Sequence, residues 1–233
     1  MRKFLIGDIR GDITLFQALL DKIGPGESDT LIFLGSYLGP GNDSKAVLEL
    51  AIGLKRHPGA FIFLRGCYEY MFLRCIGDRV IWGDAQMWQQ MGGEKVFQSY
   101  SIEDKRILVM RHEKAQAIDM PLVIPEPHMR FLEHDCHQWF EDDTLPFVAT
   151  HCGTHPGVFG IKSVGDERES VFSAHGWWQN NKIRIPGRDI VFSHVPFKKP
   201  FIGKGKVGID LGAGLGGKLC AYEAYSQNFT IVG

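Results

Sequence analysis

Apolar residues in this chain recur in short runs that stop at glycine-bearing turns. Phe4-Leu5-Ile6, Thr30-Leu31-Ile32-Phe33-Leu34 and Ala60-Phe61-Ile62-Phe63-Leu64 are too short for helices and are bounded by turn residues, which is the pattern of buried strands. Between them, Ile13, Leu15, Phe16, Leu19, Leu20 and Ile23 fall at helical spacing, and Gly24-Pro25-Gly26 ends that run. Ala46, Val47, Leu50, Ala51 and Leu54 repeat the helical spacing after the second strand. Three strand, turn, helix units in succession predict a parallel sheet with helices packed on it. From about Met71 to Phe140 the chain is rich in Trp, Met, Gln and Arg and lacks strand periodicity, so it reads as helices capping the sheet. Strands return from Leu145 onward, as Pro146-Phe147-Val148-Ala149-Thr150, Ile190-Val191-Phe192, Lys206-Val207-Gly208-Ile209, Leu219-Cys220-Ala221-Tyr222 and Phe229-Thr230-Ile231-Val232. Gly212-Ala213-Gly214-Leu215-Gly216-Gly217 lies between two of these and reads as a hairpin-type loop, because a phosphate-cradling loop would have to open a helix.

Chemistry collects where the strands end. The first strand runs into Asp8, Arg10 and Asp12, the second into Ser36, the third into Cys67, Tyr68 and Glu69, and two later ones into His151 and His194. In open α/β sheets that edge gathers loops from several strands outside the packed core, and ligands bind there.

Length and charge narrow the classes. At 233 residues, with 44% hydrophobic and 23% charged side chains, the chain supports one sizeable domain, read as 1–233. A formal net charge of −1 gives no global attraction to nucleic acid or to an acidic membrane, and neither is expected as a partner. No stretch approaches the roughly 18 apolar residues of a membrane span. Five cysteines without a Cys-x-x-Cys pair argue against a disulfide framework or zinc ribbon, so a reducing cytoplasm is expected.

The series of turns resembles the calcineurin-like metallophosphoesterase family, in its branch of serine/threonine protein phosphatases, diadenosine tetraphosphatases and bacteriophage protein phosphatases. The family pattern runs Gly-Asp-x-His-Gly, Gly-Asp-x-x-Asp-Arg-Gly, Gly-Asn-His-Glu, a His-Ala-Gly turn, a Gly-His-Thr-Pro turn and Asp-Thr-Gly-Ala. Here these stand, in the same order, as Gly7 to Gly11, Gly35 to Gly41, Gly66 to Glu69, His151-Cys152-Gly153, Ser193-His194-Val195-Pro196 and Asp210-Leu211-Gly212-Ala213. The resemblance covers nearly the whole chain. It implies an α/β fold, a β-sandwich of two mixed sheets flanked by α-helices.

Family members hold two divalent metals that generate the nucleophile and neutralise phosphoryl charge. Carried over residue by residue, Asp8, His151 and His194 are kept, while Arg10 stands at a histidine ligand, Ser36 at the bridging aspartate and Cys67 at the asparagine ligand. Tyr68 stands at the catalytic histidine, Gly39 at its aspartate partner, and Pro40, His155 and Ala174 at phosphate-gripping arginines. The expectation is a pseudo-phosphatase that binds a phosphorylated small molecule, a phosphoprotein or another protein partner, with Asp8, Arg10 and Ser36 lining the ligand site. The alternative is a living phosphoesterase with one zinc or manganese on Cys67, His151 and His194.

Bland readings stand beside the sharp ones. Asp8 and Arg10 read first as an ion pair with each other, and Arg10 as an oxyanion clamp only second. Ser36 reads as a turn residue. Cys67 reads as a small buried side chain rather than a metal ligand, and its nearest downstream arginine, Arg74, is one residue too far for a Cys-x5-Arg phosphatase loop. Tyr68 reads as filler of a vacated pocket, since its pKa near 10 makes it a poor acid. Trp82, Trp88, Trp177 and Trp178 read as core or cap before partner surface.

Overall fold

A computed structural model describes residues 1–76, 82–101, 124–153 and 176–233. Two sheets face each other. The six-stranded sheet has the order β11-β10-β1-β2-β3-β4, formed by β1 (Lys3–Ile6), β2 (Thr30–Phe33), β3 (Ala60–Leu64), β4 (Cys136–His137), β10 (Leu219–Glu223) and β11 (Asn228–Val232). Strands β1 to β4 run parallel, and β10 and β11 join antiparallel beside β1. The second sheet has the order β5-β6-β7-β9-β8, formed by β5 (Trp139–Glu141), β6 (Phe147–Thr150), β7 (Asp189–Phe192), β8 (Phe201–Gly203) and β9 (Lys206–Gly208). Its β6, β7 and β9 are parallel, with antiparallel strands at both edges.

Side-chain alternation decides which face each residue serves. Leu5, Ile32 and Leu64 point between the sheets, where they meet Ala149, Val191, Val207 and Cys220. Their neighbours Phe4, Ile6, Leu31, Phe33 and Phe63 point the other way, onto the helices. Helix α1 (Ile13–Ile23) buries Phe16, Leu19 and Ile23 there, and α2 (Ser44–Leu54) buries Val47, Leu48 and Ala51. Asp12 and Asp43 begin these helices by accepting backbone N–H bonds from Leu15 and Ala46. The second carboxylate of the opening turn is therefore a helix cap.

The middle of the chain supplies α3 (Cys67–Ile76), α4 (Trp82–Gln90) and α5 (Gly93–Ser99), then a short helix over Glu126–Arg130. Trp88 sits at the centre of this cap, with Tyr68, Phe72 and Phe97 around it at ring separations of 5.8–6.1 Å. Two strands nonetheless fall where the sequence predicts only helices, β4 and the start of β5. A two-residue strand shows no alternation, so nothing in the pattern reveals it. The three-residue β8 escapes for the same reason.

The glycine-rich loop also differs from its expectation. Its local turn is closed by Gly217 N–H donating to Gly212 O at 2.9 Å and Lys218 N–H donating to Leu211 O at 3.0 Å. The strands it joins do not pair, because β9 lies in one sheet and β10 in the other. The loop is a crossing between sheets. All five cysteines are buried. No helix among the described residues is long and apolar enough to cross a membrane.

Candidate functional site

The carboxyl ends of β1, β2, β3, β6 and β7 bring Asp8, Arg10, Ser36, Cys67, His151 and His194 together, with Asp210 just beyond β9. All but the half-buried His194 are buried: Arg10 is 4% exposed, Cys67 2% and Asp8 1%.

Arg10 is the hub. Its Nη1 donates to Asp210 Oδ1 at 2.8 Å and its Nη2 to Asp210 Oδ2 at 2.5 Å, the two-pronged geometry a planar guanidinium favours. Nη2 also lies 2.8 Å from Asp8 Oδ2 and donates to the His194 carbonyl at 3.3 Å. Local spacing predicts that Arg10 pairs with its neighbour Asp8. That contact exists at Nη2, and Asp210 takes both prongs of the fork. Asp210 is held in turn by the Gly212 N–H at 2.9 Å. Burial opposes the Arg10 charge, and the two carboxylates outweigh burial and hold the guanidinium firmly protonated.

The backbone of Arg10 is left-handed, with φ 48°, and glycines close on it from two loops. A Cβ on Gly39 would lie 2.7 Å from Arg10 Cα, and one on Gly214 would lie 2.4 Å from the Arg10 carbonyl oxygen. Ser36 and His194 are also left-handed, with φ 54° and 70°. Non-glycine residues in that region cost roughly 1–2 kcal/mol each, so the packing around the site holds all three against strain.

Glu69 ties the second and third turns together. Its carboxylate accepts from the backbone N–H groups of Ser36, Leu38 and Gly66 at 2.8–3.0 Å. The Ser36 hydroxyl itself faces sulfur, 3.7 Å from Cys67 Sγ. Neighbouring Tyr68 sends its hydroxyl to the Met91 carbonyl at 2.8 Å, into the turn between α4 and α5. That turn also rests on Pro40, since a Cβ on Gly92 would lie 2.9 Å from the proline's Cβ.

The two histidines stack edge to face at 5.1 Å. His151 Nδ1 bonds the Leu34 carbonyl at 2.8 Å, which makes it the protonated nitrogen, and Nε2 accepts the Cys67 N–H at 3.1 Å. Burial pulls both imidazoles down to about 4, with the Arg10 charge adding to it, and His194 is lowered further by His151. Burial pushes the Cys67 thiol well above its ordinary value. Near neutral pH the trio is two neutral imidazoles and a thiol, with ligand atoms within 4.8 Å of one another.

Trp88 and Trp177 are core residues, 1% and 2% exposed, and Trp178 is half-buried. The Trp82 side chain, His155 and Ala174 lie outside the described residues. In the sequence Asp210 and Glu69 stand inside motifs with no role of their own. The only signal available was that each is a carboxylate placed beside a glycine turn.

No protein-family model matches the sequence, and no curated protein matches it either. Solved structures do match its shape. A protein described as a diadenosine tetraphosphatase superposes with a TM-score of 0.64 at 16% identity, covering 99% of this chain and 92% of its own. The chain has the metallophosphoesterase fold. A metallophosphoesterase from Sphaerobacter thermophilus gives a TM-score of 0.52 at 13% identity over 99% of this chain and 86% of that one. A serine/threonine phosphatase from Saccharomyces cerevisiae gives 0.58 at 18% identity, over 100% of this chain and 79% of that one. The two mixed sheets flanked by helices and the clustered strand ends are thus the arrangement of metallophosphoesterase-fold proteins.

Proposed function

We propose that this protein is a pseudo-phosphatase, a phosphatase-fold domain that binds a protein partner and does not hydrolyse phosphoesters by the two-metal route. The observation that carries the reading is the Arg10 guanidinium, buried and paired with Asp8 and Asp210 together.

The metallophosphoesterase fold implies two divalent ions at these turns, and the side chains do not fit two. Arg10 puts a permanent cation beside Asp8, and a divalent ion a few ångströms away would be repelled by it. Ser36 offers a hydroxyl where a bridging ligand would need a carboxylate, and that hydroxyl faces the Cys67 thiol. Both terminal nitrogens of Arg10 are already engaged by Asp210, and Nη2 by Asp8 and the His194 carbonyl as well, which favours a protein partner over a phosphorylated ligand at this spot.

A second reading has one specific observation behind it. Cys67, His151 and His194 are close enough to converge on one ion, and a backbone carbonyl already anchors the far nitrogen of His151, as it does behind many metal-bound imidazoles. Against it, the near nitrogen of His151 is taken by the Cys67 amide.

Metal analysis of protein purified without chelator separates the two readings. The pseudo-phosphatase reading expects no stoichiometric zinc or manganese, no thermal shift on adding either, and no turnover of an aryl phosphate or diadenosine tetraphosphate with Mn²⁺. One equivalent of metal lost in Cys67→Ala, or turnover abolished in His151→Ala, would overturn it.

A further inference from the structure

Charge is unevenly spread over the second sheet. Between Gly176 and Gly208 the chain carries seven lysines and arginines and a single carboxylate, Asp189, in a protein whose formal net charge is −1. Lys182, Arg184, Lys198, Lys199 and Lys204 are exposed, and none of them pairs with a described carboxylate.

The fold gathers these residues around the β8–β9 hairpin. Lys198 and Lys199 lead into β8, and Lys204 forms its turn with Gly205. Arg184 stands beside that turn, its Cβ 3.5 Å from where a Cβ on Gly205 would be. Lys206 reaches back to bond the Asn180 carbonyl at 2.7 Å, which ties the segment bearing Lys182 to β9.

Among the described residues, the outer backbone edge of the hairpin has no strand beside it. β8 pairs with β9 on one side and borders no described strand on the other. On one face Phe201 stacks on Phe197 at 5.3 Å. On the other, Ile202 lies in register with core residue Val207 yet is 72% exposed. Lysines flanking an edge strand discourage chance pairing between copies, which accounts for Lys198, Lys199 and Lys204 at the two ends of β8. It does not account for Lys182 and Arg184, which belong to a separate segment of the chain.

We propose that this edge is the docking surface for an acidic, extended segment of a protein partner, added as a strand along β8. Backbone pairing with β8 would supply affinity, Ile202 would seat one apolar side chain, and the surrounding cations would select an acidic sequence. An acidic segment is favoured over an anionic membrane or nucleic acid because a strand edge recognises backbone amides, which neither of those carries.

The inference names the partner class of the pseudo-phosphatase reading and rests on its partner-binding half, but it uses none of the strand-end residues. The test uses the full chain and a fluorescein-labelled peptide of alternating glutamate and valine, followed by anisotropy at low and physiological salt. Binding is expected, weakened by salt, and reduced at least about tenfold both in the Lys198→Glu/Lys199→Glu/Lys204→Glu triple variant and in Ile202→Asp. Circular dichroism and melting temperature check that both variants fold, and Ile202→Asp carries the test if the triple variant does not. The proposal is overturned by absence of binding, by equal binding of a peptide of the same charge with proline in place of valine, or by tighter binding of phosphatidylserine vesicles or a single-stranded oligonucleotide. A phosphatase assay on the same sample keeps the outcomes apart, because hydrolysis with peptide binding sinks the pseudo-phosphatase reading alone, and inactivity without binding sinks this inference alone.

Discussion

Arg10 donates to both carboxylate oxygens of Asp210, a residue 200 positions further along the chain. The pair, with Asp8, stitches the first strand's turn to the segment that follows β9, so the charges at the strand ends are structural members of the fold.

Removing the guanidinium leaves two buried carboxylates facing each other. Arg10→Ala is expected to destabilise the protein by about 3–5 kcal/mol, the usual cost of breaking a buried pair from one side. Arg10→Lys is expected to fall between wild type and Arg10→Ala, because a single ammonium cannot make the fork. Urea denaturation of the three proteins checks the order.

Under the pseudo-phosphatase reading, installing carboxylate, imidazole and amide ligands in place of the present side chains creates a metal site. The quadruple variant Arg10→His, Ser36→Asp, Cys67→Asn, Tyr68→His is expected to bind a divalent ion, seen by calorimetry with Mn²⁺. Metal uptake without turnover would place the remaining deficit at Gly39 and Pro40.

Ser36 holds a left-handed backbone with nothing but a long sulfur contact on its hydroxyl. Ser36→Gly is expected to relieve part of a roughly 1 kcal/mol strain and to raise the melting temperature by about 2–3 °C. A fall in melting temperature would mean that the hydroxyl matters more than the backbone.

Both histidines make stability depend on acid. Below about pH 6.5 the unfolded imidazoles take up protons that the folded ones refuse until about pH 4, so stability drops as pH falls through that window. One imidazole with this shift contributes roughly 2–3 kcal/mol across it. Glu69, raised to about 7 mainly by burial, gives the opposite slope over part of the same range, so the histidine contribution is read as a difference. Denaturation midpoints between pH 4 and 7 are expected to vary less steeply with pH in His151→Gln than in wild type.

The parallel core of the fold was legible because β1, β2 and β3 are unbroken apolar runs separated by helices with clear periodicity and caps. Strands of two or three residues, β4 and β8, carry too few positions for alternation to register. The convergence of Asp8, Ser36, Cys67, His151 and His194 could be anticipated, since each follows a strand and strand ends share an edge. Which carboxylate receives the Arg10 fork could not, because local spacing offers Asp8, and only the chain's return after β9 supplies Asp210. The same holds for Glu69, whose three amide donors come from two separate turns.

The glycines that close on the Arg10 backbone make this turn a socket. Gly39 and Gly214 face main-chain atoms and the Cβ of Arg10 and not the guanidinium, so a Cβ on either collides with the turn whatever lies beyond Cβ at residue 10. Residue 10 is therefore exchangeable in chemistry while its surroundings are fixed in shape. A change of side chain at residue 10 alters the charge gathered at the strand ends and leaves the shape of the turn as it is.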